Sequence, residues 1–323
     1  MPRMVKLKMN LGNNMMFQTR WVDSDAKAFI KRHAEKGINA ELALRVYTSQ
    51  LIGSDPDLVM HGGGNTSCKT TMPDLFGNTV RVLCVKGSGW DLSTIEAPGL
   101  PAVKLDPLLE LRHLDALSDE DMVNVQRASL MDRASPNPSV ETLLHAFLPH
   151  QIVDHTHATP FLALANLPEP EAIISEIFGD SLAIVPYVMP GFTLAKLAAD
   201  IAEQHQNVEG LLLLQHGHFT WGKDAKQSYD RVIDHTNRVE AWFADRRNAV
   251  QCFGMGTPQA EAQNFIHNLK KALIEVSANE SPSFVLDWID DATIAAQIDQ
   301  HISNGIVGRG VATPDHVIRI KAK

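Results

Sequence analysis

His155-Thr-His157 closes an apolar run, Ile152-Val153, and the two-residue period of a strand puts both imidazoles on one face, as two ligands of one metal require. A second pair, His216-Gly-His218, follows the apolar run Leu211-Leu-Leu-Leu-Gln215. His216 supplies a third imidazole, with His218 competing for that place, and a fourth coordination position stays open, the layout of a catalytic zinc. The competing reading of any single one is a packed core histidine. Glu141 lies in Asn137-Pro-Ser-Val-Glu-Thr-Leu-Leu-His145, where Ser139 is expected to cap a helix with Glu141 in its first turn. There it either offsets the helix dipole or transfers protons. Two glycine loops, His61-Gly-Gly-Gly-Asn-Thr-Ser67 and Gly87-Ser-Gly-Trp90, are either plain tight turns or oxyanion cradles. Asn65, Thr66, Ser67 and Ser88 bring side-chain donors to the backbone N–H groups there.

Such groups need a sheet to carry them. Helices are expected over residues 23–54, with Asp23-Ser24-Asp25 as cap and Leu42, Leu44, Val46, Leu51 and Ile52 as the apolar set. A short strand, Leu58-Val59-Met60, is expected to run into the first glycine loop, and a second, about 80–86, into the other. Helical spans near 106–114, 119–131 and 139–148 precede a strand at 151–157. Pro190-Gly191 introduces a helix with Leu194, Leu197 and Ile201 on one face, then a strand at 211–215. Ala225, Tyr229, Val232, Thr236, Val239 and Phe243 step by three or four along a long helix over 223–246. This mixture, without a repeat, predicts an α/β three-layer domain. From about 250, Gly254, Gly256 and Pro258 read as a linker to helical patterns near 258–277 and 289–302, a small appendage.

The 323 residues carry 29 Lys+Arg against 38 Asp+Glu, a net charge of −9, with 44% hydrophobic residues, so collagen-like, disordered and membrane-spanning classes are excluded. The acidic balance argues against a nucleic-acid partner, while a phosphorylated small molecule remains compatible with it. Cys68, Cys84 and Cys252 have no CxxC spacing and are expected as reduced thiols. No signal peptide is expected, because Asn10, Gly12, Asn13 and Asn14 interrupt the start, and no run approaches a membrane span. The expected location is cytoplasmic.

Five ordered runs resemble the class II aldolase/adducin superfamily through most of residues 40–246: His61-Gly-Gly-Gly-Asn-Thr-Ser67, Lys86-Gly-Ser-Gly89, Pro138-Ser-Val-Glu141, Asp154-His-Thr-His157 and Gln215-His-Gly217. The wider text, including Ser88-Gly-Trp-Asp-Leu92 and Ala312-Thr-Pro-Asp-His-Val-Ile318, is similar to the aldolase part of bifunctional rhamnulose-1-phosphate aldolase/alcohol dehydrogenase proteins. The resemblance implies a three-layer α/β/α domain over 38–248, a helical segment over 1–37 and a mostly helical extension over 249–323. It makes His155, His157 and His216 ligands of Zn2+ or another divalent metal, and Glu141 the catalytic acid/base. Asn65, Ser88, Gly89 and Ser139 match positions that hold a substrate phosphate, while Val140 stands where some relatives have a second serine. Tyr187 has the spacing of a tyrosine acting across a subunit boundary in a homotetramer; a packed core tyrosine is its alternative.

The activity so implied is that of a lyase cleaving a ketose 1-phosphate, rhamnulose-1-phosphate-like, to dihydroxyacetone phosphate and an aldehyde such as lactaldehyde. Desolvation is expected to raise the Glu141 pKa toward the working pH. A sugar-phosphate epimerase or dehydratase of the superfamily and a non-catalytic adducin-like interaction domain are the alternatives. No NAD is expected on this chain: Gly254-Met-Gly-Thr-Pro258 lacks the third glycine of a dinucleotide turn, and Gly305-Ile-Val-Gly-Arg-Gly310 is followed by too little sequence for a βαβ unit. The strand-like Val317-Ile-Arg-Ile320 at the end is expected to mark a truncation or a lost partner domain.

Overall fold

The computed structural model describes residues 17–60, 62–205, 207–246, 264, 265, 267–269 and 271. Residues 17–246 belong to one compact unit. The basic N-terminal stretch, His61, Cys252, the glycine turns beyond residue 250, the pattern near 289–302 and the strand-like run at 317–320 lie outside the described residues. Positions 264, 265, 267–269 and 271 are helical, inside the pattern expected near 258–277.

Helices α1 (Asp23–Ala34) and α2 (Ala40–Gly53) divide the stretch expected as helical. Asp23-Ser24-Asp25 is not the cap of α1. Val22 holds that position without a side-chain bond, and Asp23 and Asp25 lie in the first turn, where their charge meets the helix dipole. Helix α2 is capped by Asn39, whose side chain accepts from the Leu42 N–H at 2.9 Å. The strand expected at Leu58-Val59-Met60 is a turn instead: the Leu58 and Val59 N–H groups both reach the Asp55 carbonyl, at 3.0 and 3.2 Å, and both side chains are buried. A three-residue apolar run fits a core turn as well as a strand. The glycine loop therefore leads into strand β1 (Asn65–Pro73) rather than out of one, and its Asn65, Thr66 and Ser67 are strand residues.

Six further strands follow: β2 (Thr79–Val85), β3 (Ala102–Lys104), β4 (Ile152–Thr156), β5 (Leu182–Val185), β6 (Gly210–Leu213) and β7 (Gly217–Gly222). They form one sheet in the order β3-β2-β1-β4-β7-β6-β5, antiparallel throughout except for the parallel β5/β6 pair. Helices α3 (Leu105–Glu110), α4 (Asp119–Ala128), α5 (Thr142–Phe147), α6 (Thr159–Ala165), α7 (Pro170–Phe178), α8 (Phe192–Gln204) and α9 (Ala225–Ala244) complete the unit.

Strand alternation sorts the apolar side chains into two cores. Leu83, Val85, Val153, Leu211, Leu213 and Phe219 pack on one face against residues of α3, α4, α5 and α8. Val82, Cys84, Ile152, Leu182 and Leu212 pack on the other against α2, α6, α7 and α9. The result is the three-layer α/β/α architecture. Within α9, Ala225, Tyr229, Val232, Thr236 and Val239 form the buried stripe that the spacing predicts. Cys68 and Cys84 face each other across β1 and β2 as buried free thiols.

Candidate metal centre

The central strands bring the chemistry together. His155, at the end of β4, pairs directly with Asn65 on β1 and with Phe219 on β7, so these three side chains share one face. His157 follows just beyond β4, and His216 lies in the turn from β6 to β7, where Gln215 takes a φ of 56°. A non-glycine residue in the left-handed region is uncommon, and the strain here turns the His216 ring toward the β4 pair. Two glycines are dictated by close approach. A Cβ on Gly217 would fall 2.8 Å from His155 Cε1 and 2.9 Å from His157 Cδ2, and one on Gly64, whose φ is +58°, would fall 2.7 Å from the His155 carbonyl oxygen.

The buried imidazoles of His155, His157 and His216 offer ligand nitrogens that all lie within 4.8 Å of one another. The His155 and His157 Nε2 atoms are 3.0 Å apart. His155 Nδ1 donates to the His218 backbone carbonyl at 3.1 Å, and since a carbonyl only accepts, the lone pair of His155 lies on Nε2, toward the other two rings. This is the outer-shell bond that fixes a metal-binding histidine. The residues therefore fit a divalent cation: three nitrogen donors converge, one with its tautomer set for ligation. His218 is excluded from this group by its own packing. Its ring stacks on Phe161 at 3.9 Å, and its Nε2 meets His235 Nδ1 at 3.1 Å, on the opposite face of the sheet.

Glu141 enters from the other side. It stands at the cap position before α5, not in the first turn, and Ser139 Oγ accepts from the Glu141 N–H at 3.3 Å. Its Oε1 lies 3.1 Å from His216 Nε2 and its Oε2 3.5 Å from His155 Nε2, while Asn65 Nδ2 donates to Oε2 at 2.6 Å. The expectation of a raised pKa needs correction. Burial does push the Glu141 carboxyl up, for it is only 8% exposed, but the positive charge that His155, His216 and His157 take up on protonation, with a hydrogen bond from His216, together outweighs it and holds the carboxyl well below the usual carboxylate range. Burial pushes His155 well below the usual imidazole range. Glu141 is thus held as the carboxylate, the form that accepts a proton.

The loops expected to hold a phosphate are joined to this centre. Asn65 Nδ2 also approaches Ser139 Oγ at 3.3 Å, the Ser139 N–H donates to the Lys86 carbonyl at 3.0 Å, and the Ser88 N–H donates to the Asn137 carbonyl at 2.8 Å. Ser88 and Gly89 are exposed beside Ser139 on this zipped pair of loops, and Lys86 Nζ donates to the Gly62 carbonyl at 2.8 Å, tying in the glycine loop. Val140 is 55% exposed at the rim. Tyr187 is not brought to the cluster: its hydroxyl meets Met189 Sδ at 3.4 Å, and at 53% exposure it is not a packed core residue either.

Sequence reasoning passed over His145. It lies one turn after Glu141 and is fully buried, its Nδ1 2.8 Å from Ser67 Oγ and its Nε2 hydrogen-bonded to Asn65 Oδ1. Burial lowers its pKa to about 3, so it is neutral. The i, i+4 spacing from Glu141 was the available signal.

Residues 44–243 match the family described as Class II Aldolase and Adducin N-terminal domain. A solved structure, the N-terminal class II aldolase domain of a conserved protein from Thermoplasma acidophilum, is 39% identical, covers 72% of this chain and 99% of its own, and superposes with a TM-score of 0.60. The uncharacterized oxidoreductase YuxG of Bacillus subtilis (strain 168) is 34% identical over 280 residues, 85% of this chain. The chain spans 40% of that relative's length. By the family match over residues 44–243 and the 39% identical solved domain, the chain belongs to the class II aldolase and adducin N-terminal domain family.

Proposed function

We propose that this chain is a metal-dependent aldolase that cleaves a ketose 1-phosphate to dihydroxyacetone phosphate and an aldehyde, a rhamnulose-1-phosphate-like ketose yielding lactaldehyde being the reading favoured by the resemblance. The observation that carries it is the convergence of three buried histidine nitrogens and one carboxylate on a single point, with Glu141 Oε1 3.1 Å from His216 Nε2. His155, His157 and His216 would hold the cation, zinc by donor type. Bound there, the cation supplies Lewis-acid polarisation of the carbonyl oxygen that takes up charge as the carbon–carbon bond breaks.

The chain's own residues do the rest. Glu141, held ionised, accepts and returns the proton that moves during cleavage; its closeness to the histidines keeps that transfer beside the reacting carbons. Asn65, Ser88, Gly89 and Ser139 would bind the phosphate, and this remote contact orients the ketose. Tyr187, exposed on the surface, would act across a subunit boundary of a homotetramer, as the resemblance implies. Oxidoreductase chemistry, named for the longer relative, is assigned outside this chain, and no NAD binding is expected of it. Among the described residues no helix is long and apolar enough to cross a membrane.

The test is metal analysis of the purified protein followed by cleavage assays over a panel of ketose 1-phosphates. One metal per chain and release of dihydroxyacetone phosphate are expected. Epimerisation or water loss without cleavage would replace the aldolase reading with its rivals, and a folded protein that takes up no metal and turns nothing over would favour an adducin-like role.

A further inference from the structure

Alternate residues of β1 grip α5 along its whole length. Asn65 bonds Glu141, Ser67 bonds His145, and Lys69 Nζ donates to the carbonyls of His145, Leu148 and His150 at 2.7, 2.7 and 2.9 Å. A six-residue helix has little stability of its own, so these contacts set where its side chains stand. Within this set the direction of each hydrogen bond is forced. The Glu141 carboxylate only accepts, so Asn65 must turn its NH2 to it and its carbonyl oxygen to His145; His145 must then donate from Nε2 and accept at Nδ1 from the Ser67 hydroxyl.

We propose that His145 is a positioning residue for Glu141, acting through the Asn65 amide: as the Nε2–H tautomer, anchored by Ser67, it locks that amide with its NH2 on the carboxylate. The proposal rests on the reading of Glu141 as the proton-transfer group. Without the His145 donor, the Asn65 amide is free to rotate or flip, and the carboxylate loses the bond that aims it at the histidine cluster. Ring contact with Phe219, whose own ring stacks on His155 at 4.1 Å, holds the His145 imidazole in the same wall.

The test has two independent arms. Neutron diffraction from the deuterated wild-type holoenzyme should place the deuteron of His145 on Nε2; a deuteron on Nδ1 alone overturns the proposal whatever Glu141 does. In kinetics, His145→Gln carries an amide nitrogen close to the Nε2 position, whereas His145→Asn reaches only the Nδ1 position. His145→Asn should lower kcat by ~10–100-fold with KM and metal content unchanged, and His145→Gln should restore most of it. Equal losses in both variants, or losses confined to metal content, would mean a packing role only and overturn the proposal. Glu141→Gln separates the two ideas: retained turnover would remove the acid/base reading, while the deuteron position would still decide the relay.

Discussion

Two groups of buried histidines lie on opposite faces of the sheet, around the β4/β7 pair. On one face, His155, His157 and His216 point their nitrogens at a common centre beside a carboxylate. On the other, His218 and His235 bond each other at 3.1 Å, and His235 Nε2 lies 3.5 Å from Glu209, which is itself paired with Arg231 at 2.8 Å. Phe161 stacks on His218 and Phe178 lies edge-on to His235. The residue type and the burial are the same in both groups. What separates a ligand cluster from a core pair is convergence: nitrogens aimed at one point leave a site for a cation, whereas nitrogens aimed at each other satisfy themselves.

The contrast has measurable consequences. The largest effect is expected from Glu141→Gln, which keeps size and removes proton transfer: kcat should fall roughly 10²–10⁴-fold with metal content intact. Near-normal turnover would return Glu141 to a structural role.

Next come the paired substitutions His216→Ala and His218→Ala. His216→Ala should weaken metal binding by more than the ~100-fold that loss of an outer-shell partner costs. His218→Ala keeps the backbone carbonyl that His155 uses, so metal titration should hardly change, but His235 loses its partner and unfolding should show a loss of about 1–3 kcal/mol. Equal loss of metal in both variants would erase the distinction between the groups.

Acid should act on the core pair. Burial lowers the His235 pKa from 6.5 to about 4, outweighing the pull of Glu209 and Asp234 the other way. The unfolded chain therefore binds the proton more readily, so this stability is complete above pH 6.5, falls as pH drops through that value, and is lost by pH 4. The difference is about 3 kcal/mol. Denaturation of the wild type and His235→Gln between pH 7 and 4 checks it; parallel curves would show that His235 does not contribute.

The smallest effect belongs to the rim of the metal face. Ser139→Ala should raise KM about 2- to 10-fold with little change in kcat, and should weaken competition by inorganic phosphate to a similar degree. No change in phosphate inhibition would move the anion site away from the Lys86–Ser139 loops.

Much of this was readable along the chain. His-x-His at a strand end, the second histidine pair after an apolar run and the stripe of α9 are local patterns, set by strand alternation and helical periodicity, and sequence carries such information directly. The packing that keeps His218 away from the other three histidines, the contacts of His145 and Ser67, and the direction of the Glu141 pKa came only with the fold. Each depends on groups far apart in sequence: the left-handed Gln215 that turns one histidine, the Phe161 ring that claims another, the pairing of Asn65 with His155, and three imidazoles whose combined pull exceeds desolvation. The sequence determined which residue types stood ready for the chemistry. Strand order and close packing decided which of them met, because convergence on a point is a property of distances across the sheet and not of spacing along the chain.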